Sequence, residues 1–124
     1  MNVSKIISER DTKRCICIST GNGKYLFINS HHRDKYDDFK IESSEYSFLN
    51  HDSYVGCSEI IMLKDEHIIK KVGNLKYDDM RKILNKIKNS KFIVEAERDV
   101  IAVELEEWLN NYRENKLNDI FKNR

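Results

Sequence analysis

Proline is absent from this chain of 124 residues, and glycine is scarce, with only four. With no pyrrolidine ring to preset a turn, every reversal must rest on Gly, Asn and Asp. Neither sign of charge dominates: 22 Lys and Arg stand against 21 Asp and Glu, a net charge of +1. That balance excludes a global attraction to nucleic acid, so any such binding needs a local basic patch set against acidic surface elsewhere. No apolar run approaches the roughly 18 to 20 residues of a membrane span, and no basic start followed by an apolar stretch opens the chain. A cytoplasmic protein with no membrane partner is expected. Cysteine is sparse and odd in number, at three, which reads as free thiols in a reducing compartment. The Cys15-x-Cys17 spacing is poor for zinc, so small buried thiols are expected, with no metal and no cofactor. Nothing in sequence sets up a lowered thiol pKa for a cysteine nucleophile.

What is present is enough to fold. Hydrophobic residues make up 40%, among them five Phe, six Tyr and one Trp, and the length suits one domain over 1–124 with a modest core. Residues 1–12 are polar apart from Val3, Ile6 and Ile7, and read as a loose arm or a short helix. Arg14 to Ser19 then alternates with period two, Thr20-Gly21-Asn22-Gly23 is turn-like, and Lys24 to Ser30 is a second β-rich run. Together they predict a β-hairpin. His31 to Asp37 reads as an exposed loop, Asp38 to Ile41 as a short strand, and Glu42 to Asp52 as a loop pinned by Tyr46, Phe48 and Leu49. Ser53 to Leu63 reads as one bent strand or two, with Gly56 at the bend.

The period then changes. Met80, Ile83, Leu84 and Ile87 fall on one face of a helix over roughly 76–89, with Asp78 and Asp79 at its positive end and Lys86 and Lys88 at the other. Phe92 to Val94 reads as a short strand. A closing amphipathic helix carries Ile101, Leu105, Trp108, Leu109 and Tyr112 on one side and extends through Leu117, Ile120 and Phe121. Its aromatic face either packs on the chain's own core or anchors a partner. The pattern is α+β with a mostly β core: a small barrel or curled antiparallel sheet, a helix after it, and a C-terminal amphipathic helix.

Four pieces in order resemble the MazF/PemK (plasmid growth inhibitor) toxin family. They are Arg14 before the apolar strand Cys15-Ile16-Cys17-Ile18 ending in Ser19, and the strand Tyr25 to Asn29 ending at Ser30. Then come His51-Asp52-Ser53-Tyr54-Val55, and Val72-Gly73-Asn74-Leu75 ahead of the helix. The resemblance covers about residues 13–94, leaving 95–124 as a helical extension, and departs where the family's opening strand and its active-site Thr would stand. It implies an SH3-like barrel and a homodimeric toxin held in check by an antitoxin protein. The implied reaction is metal-independent cleavage of single-stranded RNA by attack of the 2′-hydroxyl on the neighbouring phosphate.

On that resemblance Arg14 is the cation for the phosphate, Ser30 a hydrogen-bonding hydroxyl, and His31 and His51 the acid–base candidates. Lys13, His32, Arg33, Lys35 and Tyr54 become RNA-binding candidates. Lys70 and Lys71, read as part of the turn before the helix, add to the basic surface. Tyr25, Tyr36 and Tyr46 join Tyr54 as possible stacking partners for bases. Without the resemblance, Arg14 reads as a solvated charge, Ser30 as a strand-end cap and the histidines as exposed loop residues. The alternative within the resemblance is a non-catalytic PemK-like barrel that binds nucleic acid or protein.

Overall fold

Alternating β-branched and aromatic side chains build the first half of the chain. In the computed structural model, which describes residues 2–7, 12–19 and 23–122, they form six strands of one antiparallel sheet. The strands are β1 (Asn2–Ile7), β2 (Thr12–Ser19), β3 (Lys24–Asn29), β4 (Asp38–Ile41), β5 (Ser53–Met62) and β6 (Ile68–Asn74). Helices α1 (Tyr77–Lys88) and α2 (Glu95–Lys122) follow. The fold is α+β, as the alternation of periods implies. The sheet order is β4-β5-β3-β2-β1-β6, so β4 and β6 are edge strands and the described sheet does not close on itself. Register shifts interrupt the β1–β6, β2–β3 and β3–β5 ladders, and such bulges sharpen the local twist.

The predicted hairpin is present as the β2–β3 pair, with Cys15 opposite Phe27 and Ile16 opposite Leu26; its tip, Thr20 to Asn22, lies outside the described residues. Ser53 to Met62 is one continuous strand rather than two. Three expectations are corrected. Residues 2–7 are neither arm nor short helix but a strand, paired on both sides by β2 and β6. Lys70 and Lys71 belong to β6 rather than to a turn. Phe92 to Val94 is no strand but the link between the helices. There the Ser90 hydroxyl accepts the Phe92 N–H at 3.2 Å, and only Ile93 of the three is buried.

The helices close the core. Met80, Ile83, Leu84 and Ile87 of α1 are fully buried, the stripe that the spacing predicted. They share one cluster with Ile16, Ile18, Leu26, Val55 and Cys57 of the sheet and Ile101, Leu105 and Leu109 of α2. Burying each such side chain contributes about 1.5–3 kcal/mol. Polar ties fix the angles: Ser19 donates to the Glu104 carboxylate at 2.8 Å, and Arg81 and Lys88 both reach Glu106, at 3.1 and 2.5 Å. Those two cations hold the Glu106 carboxyl below its ordinary range. The inner face of α2 therefore packs on the chain's own core, while Trp108 stacks on Tyr112 and Tyr112 on Tyr77. Among the described residues, no helix is long and apolar enough to cross a membrane.

One glycine is required by the backbone. Gly23 enters β3 with φ of +62°, and a Cβ there would stand 2.6 Å from the Leu63 carbonyl oxygen. The same pair is joined by the Leu63 N–H, which donates to the Gly23 carbonyl at 2.9 Å. Gly23→Ala must therefore both adopt a left-handed backbone and push two strands apart. It is expected to destabilise the fold by more than about 1 kcal/mol in urea unfolding, the cost of that backbone region for an L side chain alone.

The thiols are structural. Cys15 and Cys57 are fully buried and Cys17 is half-buried; all three are free. Burial pushes the thiols of Cys15 and Cys57 up to about 12. Because the folded values lie above the ordinary 9.0, the stability they contribute is complete below pH 9 and is lost as pH rises toward 12. The melting temperature is expected to fall steadily between pH 9 and pH 11. Replacing both cysteines by alanine should flatten that fall, whatever it costs at neutral pH.

Candidate active site

An antiparallel ladder places the start of one strand beside the end of the next. Here Arg14, near the start of β2, pairs with Ile28 near the end of β3, and Ile28 pairs with Val55 near the start of β5. The three strand ends therefore meet along one rim of the sheet. The loop before β5, residues 42–52, folds over that rim and is anchored through Tyr46. Its buried ring packs against Phe48, and its hydroxyl donates to Asp79 and accepts the Lys76 N–H at 3.0 Å, at the head of α1. Burial and the Asp79 carboxylate both push the Tyr46 phenol up. The result is a cleft of about 390 Å³, with Ile28 and Leu49 at its base.

Six residues singled out in the sequence line this cleft: Lys13, Arg14, Ser30, His31, Arg33 and His51. They come from the start of β2 and from two loops, separated by up to 38 positions in the chain. Asn29, Asn50 and the buried Ser53 complete the lining.

No protein-family model matches this chain, and no curated protein does. The chemistry of the cleft must be read from its own side chains.

Arg14 is the distinctive group. Its Nε is buried and has no hydrogen-bond partner among the described residues, and no carboxylate there pairs with its guanidinium. The Asn29 side-chain amide is likewise a buried donor without a partner among them. Buried donors are nearly always satisfied, and the cleft lining carries three without a partner among the described residues, Arg33 Nε being the third, a set suited to an anion. Arg33 differs. Its guanidinium is 2.8 Å from Glu59 and 3.8 Å from Asp38, and it lies over the Tyr36 ring at 4.0 Å. A Cβ at Gly56 would stand 2.8 Å from it, so the missing side chain makes its room. Arg33 lines the cleft as a braced, neutralised cation, whereas Arg14 faces it uncompensated.

His51 is oriented. Its Nδ1 lies 2.9 Å from the carbonyl oxygen of Asp52. A carbonyl only accepts, so Nδ1 carries the proton in that contact, leaving Nε2 of the neutral ring bare to act as a base. The Ser53 hydroxyl donates to the His51 carbonyl at 3.1 Å and steadies the same turn. Asp52 itself turns away. Its carboxylate accepts the Ser43 N–H at 2.9 Å and the Ser43 hydroxyl at 3.1 Å, which lowers its pKa. Ser30 and His31 are exposed and line the same cleft, and His31 has no hydrogen-bond partner among the described residues.

The remaining candidates sit elsewhere. His32 contacts Asp34 at 3.0 Å and packs on Tyr54, with ring centroids 5.5 Å apart; neither lines the cleft. Lys13 lies at the rim, its ammonium over the Phe27 ring at 4.8 Å. The side chain of Lys35 lies outside the described residues. Tyr25, Tyr36 and Tyr46 are absent from the lining, and Tyr46 is core. No group of His, Cys, Asp and Glu among the described residues is placed to hold a metal ion.

Proposed function

We propose that this protein is a metal-independent endoribonuclease of the MazF/PemK type, the toxin of a toxin–antitoxin pair, acting on single-stranded RNA. On this reading the open sheet is a variant of the SH3-like barrel. A homodimer and a cognate antitoxin belong to the same proposal, as does action in the cytoplasm. One observation carries it: an uncompensated guanidinium, a hydroxyl and two imidazoles line a single cleft.

The reaction follows from those groups. His51 Nε2 takes the 2′-hydroxyl proton, and the freed oxygen attacks the adjacent phosphorus. Arg14 holds the two non-bridging oxygens while charge gathers on them, and Ser30 donates a further hydrogen bond. As the P–O5′ bond breaks, protonated His31 returns a proton to the departing oxygen. One strand end becomes a 2′,3′-cyclic phosphate and the other a 5′-hydroxyl, with no net gain or loss of protons.

The test is incubation of the purified protein with single-stranded RNA in EDTA, with analysis of the new ends. Cyclic phosphate ends that vanish in the His51→Ala variant support the reading. The free ring of His31 favours a second reading, a barrel of the same ancestry that binds RNA without cutting it. Tight RNA binding with no new ends, at any pH between 5 and 9, selects that one.

A further inference from the structure

The cleft does not end at Arg14. A second hollow of about 390 Å³ opens beyond it, lined by Arg14 and Asn50 together with Ser47, Phe48, Lys70 and Lys71. Arg14 and Asn50 line both hollows, so the two adjoin. On the other side a third hollow shares Ser30, His31 and His51 with the cleft and reaches Asp52. Three adjoining hollows result, with His31 and His51 in two of them and Lys70 and Lys71 in the third.

Its charge is one-sided. In a chain with a net charge of +1, Asp52 is the sole carboxylate among the described lining residues, and it is engaged by Ser43 and by Lys40 at 3.7 Å. Lys70 and Lys71 are exposed, and neither is ion-paired among the described residues. The ladder explains their placing. Arg14 pairs with Lys5 of β1, and Lys5 pairs with Lys70 of β6, so three cationic residues occupy one register row across three strands. Strands lie about 4.8 Å apart, which separates the backbones of Arg14 and Lys70 by about 10 Å. Long side chains from those two positions can reach one phosphate or two successive ones, and Lys71, the next residue, lines the same hollow. The first part of α2, by contrast, carries Glu95, Glu97, Asp99, Glu104, Glu106 and Glu107.

We propose that Lys70 and Lys71 form a phosphate-binding track that carries the single strand out of the cleft across β6. The protein then grips several nucleotides on one side of the scissile bond, and a dinucleotide fills only part of the site. This rests on the ribonuclease reading of the cleft and adds to it the length and direction of the substrate.

Non-cleavable 2′-O-methyl RNA of two and of eight nucleotides, followed by fluorescence anisotropy over a range of salt, tests it. For the octamer, Lys70→Ala/Lys71→Ala should reduce the slope of log K against log salt by about 1.4, two phosphates at about 0.7 each, and weaken binding about tenfold at low salt. Dinucleotide binding should stay unchanged, and Lys70→Arg/Lys71→Arg should restore the slope. If the octamer binds the double alanine variant with unchanged slope while Arg14→Ala still abolishes binding, the track is wrong and the cleft reading survives. If the wild-type protein binds neither oligomer, both fall together.

Discussion

Arg14→Ala is expected to slow cleavage of single-stranded RNA by about 10²- to 10³-fold, the usual loss when one preorganised donor to a developing oxyanion is removed. The fold should barely notice. Arg14 is half-buried, makes no ion pair among the described residues, and leaves behind one fewer unsatisfied donor rather than a stranded carboxylate. Its melting temperature should therefore stay close to wild type, which separates a chemical defect from a folding one. Arg14→Lys keeps the charge but loses the planar fork, and should recover only part of the rate. Lys13→Ala, at the rim, should change binding more than turnover. Measuring kcat and KM separately on one oligonucleotide decides the matter: wild-type turnover in Arg14→Ala removes the arginine from the chemistry and the proposed mechanism with it.

Much of the scaffold for that experiment is legible in the residues, because local periodicity and tertiary demand agree there. The β2–β3 hairpin has alternation on its first arm and a β-rich run on its second. The α1 stripe of Met80, Ile83, Leu84 and Ile87 is both the helical pattern and the buried set. Two strands escape because their sequences do not alternate cleanly. β1 gains its conformation from neighbours on both sides, a cooperative effect that a six-residue segment without period-two alternation does not announce. β6 is an edge strand carrying Lys70 and Lys71. Edge lysines guard against unwanted strand pairing, and the same charges make the segment look like a turn. Phe92 to Val94 fails in the opposite direction, since three apolar residues in a row specify burial without specifying how.

The site divides in the same way. Arg14 and Ser30 share a cleft because one hairpin brings them together, a short-range consequence of the turn between them. His51 joins only because β5 lies beside β3 and its preceding loop is tethered to α1 through Tyr46, neither of which sequence spacing contains. Nor does composition distinguish the two arginines. Arg33 has Glu59 and Asp38 for company, from 26 and 5 positions away, and Arg14 has none among the described residues. The difference between a paired arginine and an unpaired one is made by the partners, which only the fold supplies.

That pairing underlies the second large effect. Asp38 opens β4 with its side chain wholly buried. It accepts the Arg33 backbone N–H, lies 3.8 Å from the Arg33 guanidinium, and lies 3.8 Å from His32 Nδ1. Removing it strands a donor and loosens a cation that Gly56 and Glu59 were shaped to hold. Asp38→Ala should cost about 3 kcal/mol, at the low end for breaking a buried pair because Arg33 remains partly exposed and keeps Glu59. Asp38→Asn still offers an oxygen to the backbone N–H and should lose roughly half as much. The loop from Ser30 to Asp37 hangs between β3 and this anchor, so both variants should also lose cleavage at temperatures where they remain folded, with the pH profile of the residual activity unaltered. Urea unfolding and turnover at 15 °C supply the comparison. An Asp38→Ala protein as stable as the wild type would mean that water replaces the carboxylate without penalty, and that Ser30 and His31 are held in place by the sheet alone.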